Sequence, residues 1–122
     1  MPSERIPTSH DQEEIAVPKY LFRASYTPDG AKGLMSEGGS GRVEVAAKLA
    51  EGLGGKLESY YFAFGEDDVV GILELPDNVS MAAVNLTVGA TGLVNTKTTV
   101  LLTPEEVDEA ARKSVAYRGP GA

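Results

Sequence analysis

The sequence predicts an α+β domain in which helices cover one face of a four-stranded antiparallel sheet. Three observations carry this prediction: segments rich in β-branched and aromatic residues, helical segments inserted between them, and a length of 122 residues, which suits one domain. Hydrophobic residues make up 42% of the chain, enough to form a core. We therefore expect one globular domain.

Residues 1–17 are predicted to form a polar tail outside that domain. The stretch MPSERIPTSHDQEEIAV is polar, acidic and without periodicity. It cannot bury enough apolar surface to offset the entropy lost on ordering, and it lacks the apolar centre of a signal peptide. The domain is therefore assigned to residues 18–122.

The first half of the domain is predicted to contain one strand and one helix. Residues 19–26 (KYLFRASY) are aromatic and alternate in character, which predicts a strand closed by a TPDG turn at 27–30. A glycine-rich connection follows. Apolar residues at helical spacing then predict a helix over 42–53, which ends at Gly54 and Gly55.

A hairpin and a second helix are predicted next. Residues 56–64 (KLESYYFAF) and 69–75 (VVGILEL) are strand-like, and the short turn GEDD between them favours antiparallel pairing. Pro76 stops the second of these strands. The following Asp and Asn offer an N-cap to a helix over 79–90, which ends near Gly92.

The last elements are a strand and a C-terminal helix. Residues 93–102 (LVNTKTTVLL) favour a strand, and Thr103, Pro104 and Glu106 form the pattern of a capping box that begins a helix reaching about residue 117. The order is βαββαβ plus one helix, a ferredoxin-like arrangement. Its usual strand order is four, one, three, two, and one face of the sheet, the open face, carries no helix.

Charge and composition exclude several classes of function. The net charge of −7 opposes binding to nucleic acid, and the absence of cysteine excludes disulfides, thiolate metal sites and thiol catalysis. No stretch approaches the length of a membrane span. We expect a cytoplasmic protein that needs no cofactor and binds neither nucleic acid nor membrane.

Two polar segments are candidate ion sites. At 38–42 (GGSGR), backbone N–H groups, the helix dipole and Arg42 would hold an anion; the alternative is a flexible turn with Ser40 as the N-cap. At 66–68, three consecutive acids are interpreted as a solvated turn rather than a cation site. The lone His10 has no second ligand, so no metal is assigned.

The aromatic residues are a third candidate. They would wall an apolar pocket with a phenol such as that of Tyr26 or Tyr60 as a hydrogen-bond donor, or they would simply form the core. Strand alternation sends Tyr60 and Tyr61 to opposite faces of the sheet. The full set on strands one and two is Tyr20, Phe22, Tyr26, Tyr60, Tyr61, Phe62 and Phe64.

The open face is predicted to form a dimer interface. Its apolar side chains are expected to be Leu21, Tyr60, Phe62, Phe64, Ile72 and Leu101. Because such a patch is unusual on a monomer, we expect a homodimer. Four charges are expected on the same face, in the order Lys97, Arg23, Glu74 and Glu58. We predict that Arg23 pairs with Glu74, either as a structural ion pair or with Arg23 available to a ligand anion.

Four segments of the chain resemble the bacterial GYD-domain proteins: PKYLFRASYTPDGAKGL, EGGSGR, SYYFAFGEDDVVGILELPDN and KTTVLLTPEE. The resemblance covers about residues 18–118. The family motif has Gly, a variable residue, Tyr and Asp, whereas this chain has Asp67 at the position of the Tyr. The resemblance implies a ferredoxin-like fold of the dimeric α/β-barrel type and leaves the activity open.

The function that follows from these expectations is broad. We expect a dimeric small-molecule-binding or enzymatic domain whose ligand is small and partly apolar or anionic; the alternative is a non-catalytic protein-interaction or regulatory module. An enzyme of this sequence would rely on Tyr, Glu, Lys or Arg chemistry, because the histidine lies in the tail and no thiol exists. No catalytic residue is assigned. The candidate ligand-binding residues are Arg23, Tyr26, Ser40, Arg42, Tyr60 and Glu74.

Overall fold

The computed structural model describes residues 17–122. All but the last residue of the predicted tail, including His10, lies outside the described residues, so the tail stays a prediction. The elements in chain order are β1 (Lys19–Tyr26), α1 (Pro28–Glu37), α2 (Gly39–Gly52), β2 (Lys56–Phe62), β3 (Val69–Glu74), α3 (Asn78–Gly89), β4 (Val94–Leu101) and α4 (Pro104–Ala111). None of the helices described is long and apolar enough to cross a membrane.

The four strands form one antiparallel sheet in the order β2-β3-β1-β4. This is the predicted order of four, one, three, two read from the other edge. The predicted ferredoxin-like α+β fold is therefore confirmed. The two central strands, β1 and β3, carry most of the buried residues of the sheet.

The hydrophobic core lies between the sheet and the helices α2 and α3. It contains Tyr20, Ala50, Leu73, Leu75, Met81 and Val84. Tyr20 is 1% exposed, and its hydroxyl donates a hydrogen bond of 2.6 Å to the Asn78 side chain. A buried phenol needs such a partner, so this bond fixes the start of α3 over β1.

The TPDG segment at 27–30 begins a helix, and its assignment as a turn was wrong. The Thr27 hydroxyl accepts a hydrogen bond of 3.2 Å from the backbone N–H of Gly30, and Pro28 occupies the first helical position of α1. A side chain at Gly30 would collide with the carbonyl oxygen of Leu93. Glycine is therefore required here for close packing, not for a turn conformation.

Two further helix boundaries differ from the prediction. The N-cap of α2 is Gly38, with φ of 91°, so Ser40 is inside the helix and is not its N-cap. The C-terminal helix α4 ends at Ala111 instead of near residue 117. Every residue of α4 is exposed, and a short helix without a buried face gains little from further turns.

A β-bulge in β2 changes which side chains face the helices. The pairing between β2 and β3 shifts between Leu57 and Ser59. Glu58 therefore bonds to Lys19 on the open face, whereas Tyr60 turns towards the helices. The assignment of Tyr60 and Phe62 to the open face was wrong. Phe64, which lies beyond the strand, is fully exposed.

Candidate ligand-binding site

A cavity of about 90 Å³ lies between the sheet and the helices α2 and α3. We call it the inner cavity. Apolar side chains form most of its wall, including Phe22 and Leu73 from the sheet, Leu49 from α2, and Met81 and Val84 from α3. A void of this size is larger than the packing defects of an ordinary protein core. It is therefore the first candidate for a binding site.

Asn85 is the polar residue that α3 contributes to the cavity wall, and its side chain is hydrogen-bonded to the sheet. Its side-chain nitrogen donates to the Thr98 hydroxyl at 2.9 Å, and its side-chain oxygen accepts from the Thr96 hydroxyl at 3.1 Å. Both threonines belong to the edge strand β4. Asn85 therefore connects α3 to β4, and its side-chain oxygen is not available to a ligand.

Tyr60 places a phenol among aromatic rings at the cavity. Its ring centroid lies 5.8 Å from that of Phe22 and 5.3 Å from that of Phe62. Burial raises the pKa of Tyr60 well above its ordinary value of 10.0, and a hydrogen bond with Tyr26 raises it further. The hydroxyl of Tyr60, like any phenol, is protonated at neutral pH, and the raised pKa keeps it protonated at alkaline pH as well.

Gly71 makes room for this aromatic cluster. It lies opposite Phe22 on one neighbouring strand and opposite Tyr60 on the other. A Cβ atom at this position would overlap with the Phe22 ring and with the carbonyl oxygen of Ser59. The absence of a side chain at 71 thus lets the Phe22 ring lie across β3 beside Tyr60.

Tyr26 stands where the inner cavity meets two outer spaces. One, the aromatic groove, has a volume of about 400 Å³ and is walled by Tyr26, Phe62 and Phe64. The other, the polar cleft, has a volume of about 230 Å³ and is walled by Tyr26, Glu37 and Arg42. Tyr26 lines all three spaces and therefore lies where the inner cavity is nearest to both outer ones.

Arg42 lines both the inner cavity and the polar cleft. Its Nη1 lies 3.4 Å from the Glu37 carboxylate, and both side chains are about one third exposed. Its Nε atom is buried, and no protein atom in the described part of the chain accepts a hydrogen bond from it. A buried donor of this kind is costly unless something pairs with it.

The open face of the sheet carries two clusters of ion pairs, which we call the charged row. At one end, Asp67 lies 3.8 Å from Arg23 and 3.1 Å from Lys97. At the other end, Lys19 lies 2.6 Å from Glu58 and 3.7 Å from Glu74. The hydrogen bond between Lys19 and Glu58 raises the pKa of the lysine and lowers that of the carboxyl.

The predicted pair of Arg23 with Glu74 is wrong. The strand register places Arg23 opposite Val70 and Lys97, and it places Glu74 opposite Lys19. Both charges do lie on the open face, as expected, but each has another partner. Arg23 pairs with Asp67, an acid of the β2–β3 turn that the sequence did not assign to this face.

The acidic turn is also less solvated than predicted. The side chain of Asp67 is only 12% exposed, and the Asp68 carboxylate accepts a hydrogen bond from a backbone N–H. Both acids are therefore structural. Among the described residues, no group of acids and histidine is arranged to hold a metal ion. The feature of the sequence that could have predicted the role of Asp67 was the pair of cations Arg23 and Lys97. These two residues lie opposite each other on adjacent strands, and both contact Asp67.

The structure brings together three of the six candidate ligand-binding residues. Tyr26, Arg42 and Tyr60 line the inner cavity, although they come from β1, α2 and β2. Ser40 is exposed in the first turn of α2 and is not among the residues of the cavity wall. Arg23 and Glu74 belong to the charged row on the opposite face.

The sequence also matches a known family of proteins. The model of the GYD domain matches residues 20–111, from the second residue of β1 to the end of α4. No curated protein and no solved structure matches the chain. The matched region contains the whole sheet except Lys19, and it contains every residue of the inner cavity. As its resemblance to the GYD-domain proteins predicted, the chain belongs to the GYD domain family.

Proposed function

We propose that this domain binds a small, partly apolar molecule in the inner cavity and that it works as a homodimer. The observation that carries the proposal is a cavity whose wall is mostly apolar but includes Tyr26, Tyr60 and Arg42. Ligand sites typically combine an apolar wall with a few polar groups that orient the ligand. A wall of this composition would bury the apolar end of a ligand and form hydrogen bonds with its polar end.

The same polar groups bear on whether binding leads to a reaction. A protonated phenol beside a guanidinium is suited to donate a proton and to stabilise a developing negative charge. The class of such a reaction would follow from the chemistry of the bound molecule. Identifying that molecule is therefore the decisive step.

The open face supports the proposal of a dimer. Leu21, Val70, Ile72 and Leu101 are half-buried there, and Tyr61 is 68% exposed. A second copy packed on this face would remove their apolar surface from water. The cations and carboxylates of the charged row are paired within one chain, so a partner would not have to supply counter-charges.

The alternative function is a non-catalytic interaction module. It is favoured by apolar residues outside the sheet that are exposed in this chain, namely Val107, Val115 and Tyr117 near the C-terminus. Exposed apolar patches are characteristic of protein–protein contacts. In this case the inner cavity would hold no ligand, and the C-terminal residues would carry the function.

Native mass spectrometry of freshly purified protein tests the proposal. We expect the mass of a dimer together with a retained small molecule. A cavity-filling variant, Ala46→Leu, should lose that molecule, because Ala46 lines the inner cavity. Ala83→Leu is the matched control, since Ala83 is exposed on α3. If the wild-type protein carries no molecule, and its melting temperature does not change with small acids, amides or alcohols, binding in the inner cavity is refuted.

A further inference from the structure

We infer that the ligand of the inner cavity is a short-chain carboxylate whose carboxylate group binds Arg42 and whose apolar end fills the cavity. This inference rests on the proposed function and adds the chemical class of the ligand. It depends on three features of the described residues: an unpaired buried donor, further hydrogen-bond donors in the same cavity wall, and the size of the cavity.

The unpaired donor is Nε of Arg42. This atom is buried without an acceptor among residues 17–122, although the far end of the guanidinium reaches Glu37. Nε and a neighbouring terminal nitrogen of an arginine form a fork that fits the two oxygens of a carboxylate. A carboxylate bound in this way would satisfy the donor that the protein itself leaves without a partner.

The other polar groups of the wall favour an acceptor as well. The side-chain oxygen of Asn85 accepts from Thr96 and Thr98, so the group left on this side chain is an N–H, which is a donor. Tyr60 is held in its protonated form, and Tyr26 lies beside it. The available groups are therefore a guanidinium and phenols, which donate hydrogen bonds. An ionised carboxylate only accepts hydrogen bonds and carries the negative charge that pairs with the guanidinium, whereas an amide of the same shape is neutral and brings two N–H donors of its own.

The cavity volume limits the apolar end. A cavity of about 90 Å³ holds a short apolar group of a few carbon atoms. An isopropyl or propyl group is such a group. Isobutyrate therefore places its branched end in the apolar part of the cavity and its carboxylate at Arg42.

Glu37 modulates this preference. Its carboxylate lies 3.4 Å from Nη1 of Arg42 and would repel a second carboxylate bound to the same guanidinium. Removing that charge should tighten the binding of an anion and leave the binding of a neutral molecule unchanged. The chain has a net charge of −7, so an anion is bound only where a specific cation attracts it.

The test compares isobutyrate with its neutral isostere isobutyramide, using the full chain and two-dimensional NMR titration. We expect isobutyrate to shift amide signals around the inner cavity and to bind at least tenfold more tightly than isobutyramide. Arg42→Gln should weaken isobutyrate roughly ten- to hundredfold, the size of a lost charge-assisted contact. Arg42→Lys keeps the charge without the fork and should give an intermediate loss.

Two variants complete the design. Arg23→Gln removes an arginine from the opposite face of the sheet and should leave both affinities unchanged. Glu37→Gln should strengthen the binding of isobutyrate and leave the binding of isobutyramide unchanged. A variant whose amide spectrum resembles that of the wild-type protein is folded. Because Arg42→Gln also removes a core-facing side chain, Arg42→Lys and Glu37→Gln keep the inference testable if that variant unfolds.

The outcomes separate this inference from the proposed function. One outcome is that isobutyramide binds as tightly as isobutyrate and that neither Arg42→Lys nor Glu37→Gln changes the ratio of the two dissociation constants. In that case the ligand is not a carboxylate, whereas the proposal that a molecule binds in the cavity stands. If inorganic phosphate binds at the cavity as tightly as isobutyrate, Arg42 is a general anion site and the inference is overturned. If none of these molecules shifts signals around the cavity, both the inference and the proposed function lose their support.

Discussion

The carboxylate of Asp68 accepts a hydrogen bond of 2.8 Å from the backbone N–H of Tyr26, a residue 42 positions earlier in the chain. Tyr26 ends β1 and lines the inner cavity and the two outer spaces. The bond therefore ties the turn between β2 and β3 to the strand end that carries a residue of the site. An acidic residue in this turn acts as a structural acceptor.

Asp68→Ala should lower the free energy of unfolding by about 1–3 kcal/mol, because it leaves the N–H of Tyr26 without a partner. Asp68→Asn retains an acceptor oxygen and should lose less. Urea denaturation measures both. Glu66→Ala is the control, since Glu66 is an exposed acid of the same turn and should change stability by less than about 0.5 kcal/mol. Equal losses at positions 66 and 68 would contradict this role.

Gly71→Ala should destabilise the protein by about 1–3 kcal/mol or more, because the new methyl group overlaps with the Phe22 ring and the Ser59 carbonyl. The displaced Phe22 ring would also disturb Tyr60 and the inner cavity. We expect the opposite effect on stability from Gly33→Ala, because Gly33 lies in α1 and a Cβ atom there would meet no atom within 4 Å. Alanine there should stabilise the helix by roughly 0.5–1 kcal/mol. Thermal unfolding distinguishes the two signs.

Tyr60→Phe should change the stability of the protein at alkaline pH. Burial holds the pKa of Tyr60 above its ordinary value of 10.0, so the folded state keeps a proton that the unfolded state loses. The stabilisation is complete below pH ~10 and is lost as the pH rises from there towards the raised pKa. In Tyr60→Phe, the free energy of unfolding should therefore fall less steeply above pH ~10. Parallel curves for the two proteins would contradict the raised pKa.

Asp67→Asn should weaken the proposed dimer. The substitution leaves Arg23 and Lys97 without the carboxylate that both contact, and burying unpaired cations at an interface is unfavourable. Sedimentation equilibrium should show a dissociation constant raised by at least tenfold. Asp108→Asn in the exposed helix α4 is the matched control and should leave the constant unchanged. A monomeric wild-type protein at micromolar concentration would refute the dimer itself.

Local signals in the sequence were sufficient for most of the fold. The alternation within residues 19–26, the short turn after β2 and the capping box at Thr103 each depend on neighbours in the chain, and each led to the correct element. The same Thr-Pro signal at Thr27 was interpreted as a turn because a glycine follows it. That glycine is explained only by the distant carbonyl of Leu93, which no local pattern reveals.

The site was harder to predict, because it depends on register and on volume. The bulge at Glu58 reverses the direction of every later side chain in β2, and nothing in the sequence of β2 marks it. The register also decides that Arg23 meets Asp67 instead of Glu74. A cavity is the small volume that remains between tightly packed side chains of several elements, and a sequence does not show how those side chains pack. The sequence therefore indicated Tyr26, Arg42 and Tyr60 but not the space between them.

The charged row has a consequence for how two chains would approach each other. Its cations Lys19, Arg23 and Lys97 are matched by the carboxylates of Glu58, Glu74 and Asp67, so this surface is close to electrically neutral. The net charge of −7 is therefore carried by the rest of the chain, and two chains repel each other at long range. Dissolved salt screens that repulsion over roughly 10 Å at 0.1 M. Association through this face should consequently become tighter as the ionic strength rises, the reverse of what attraction between opposite charges would give.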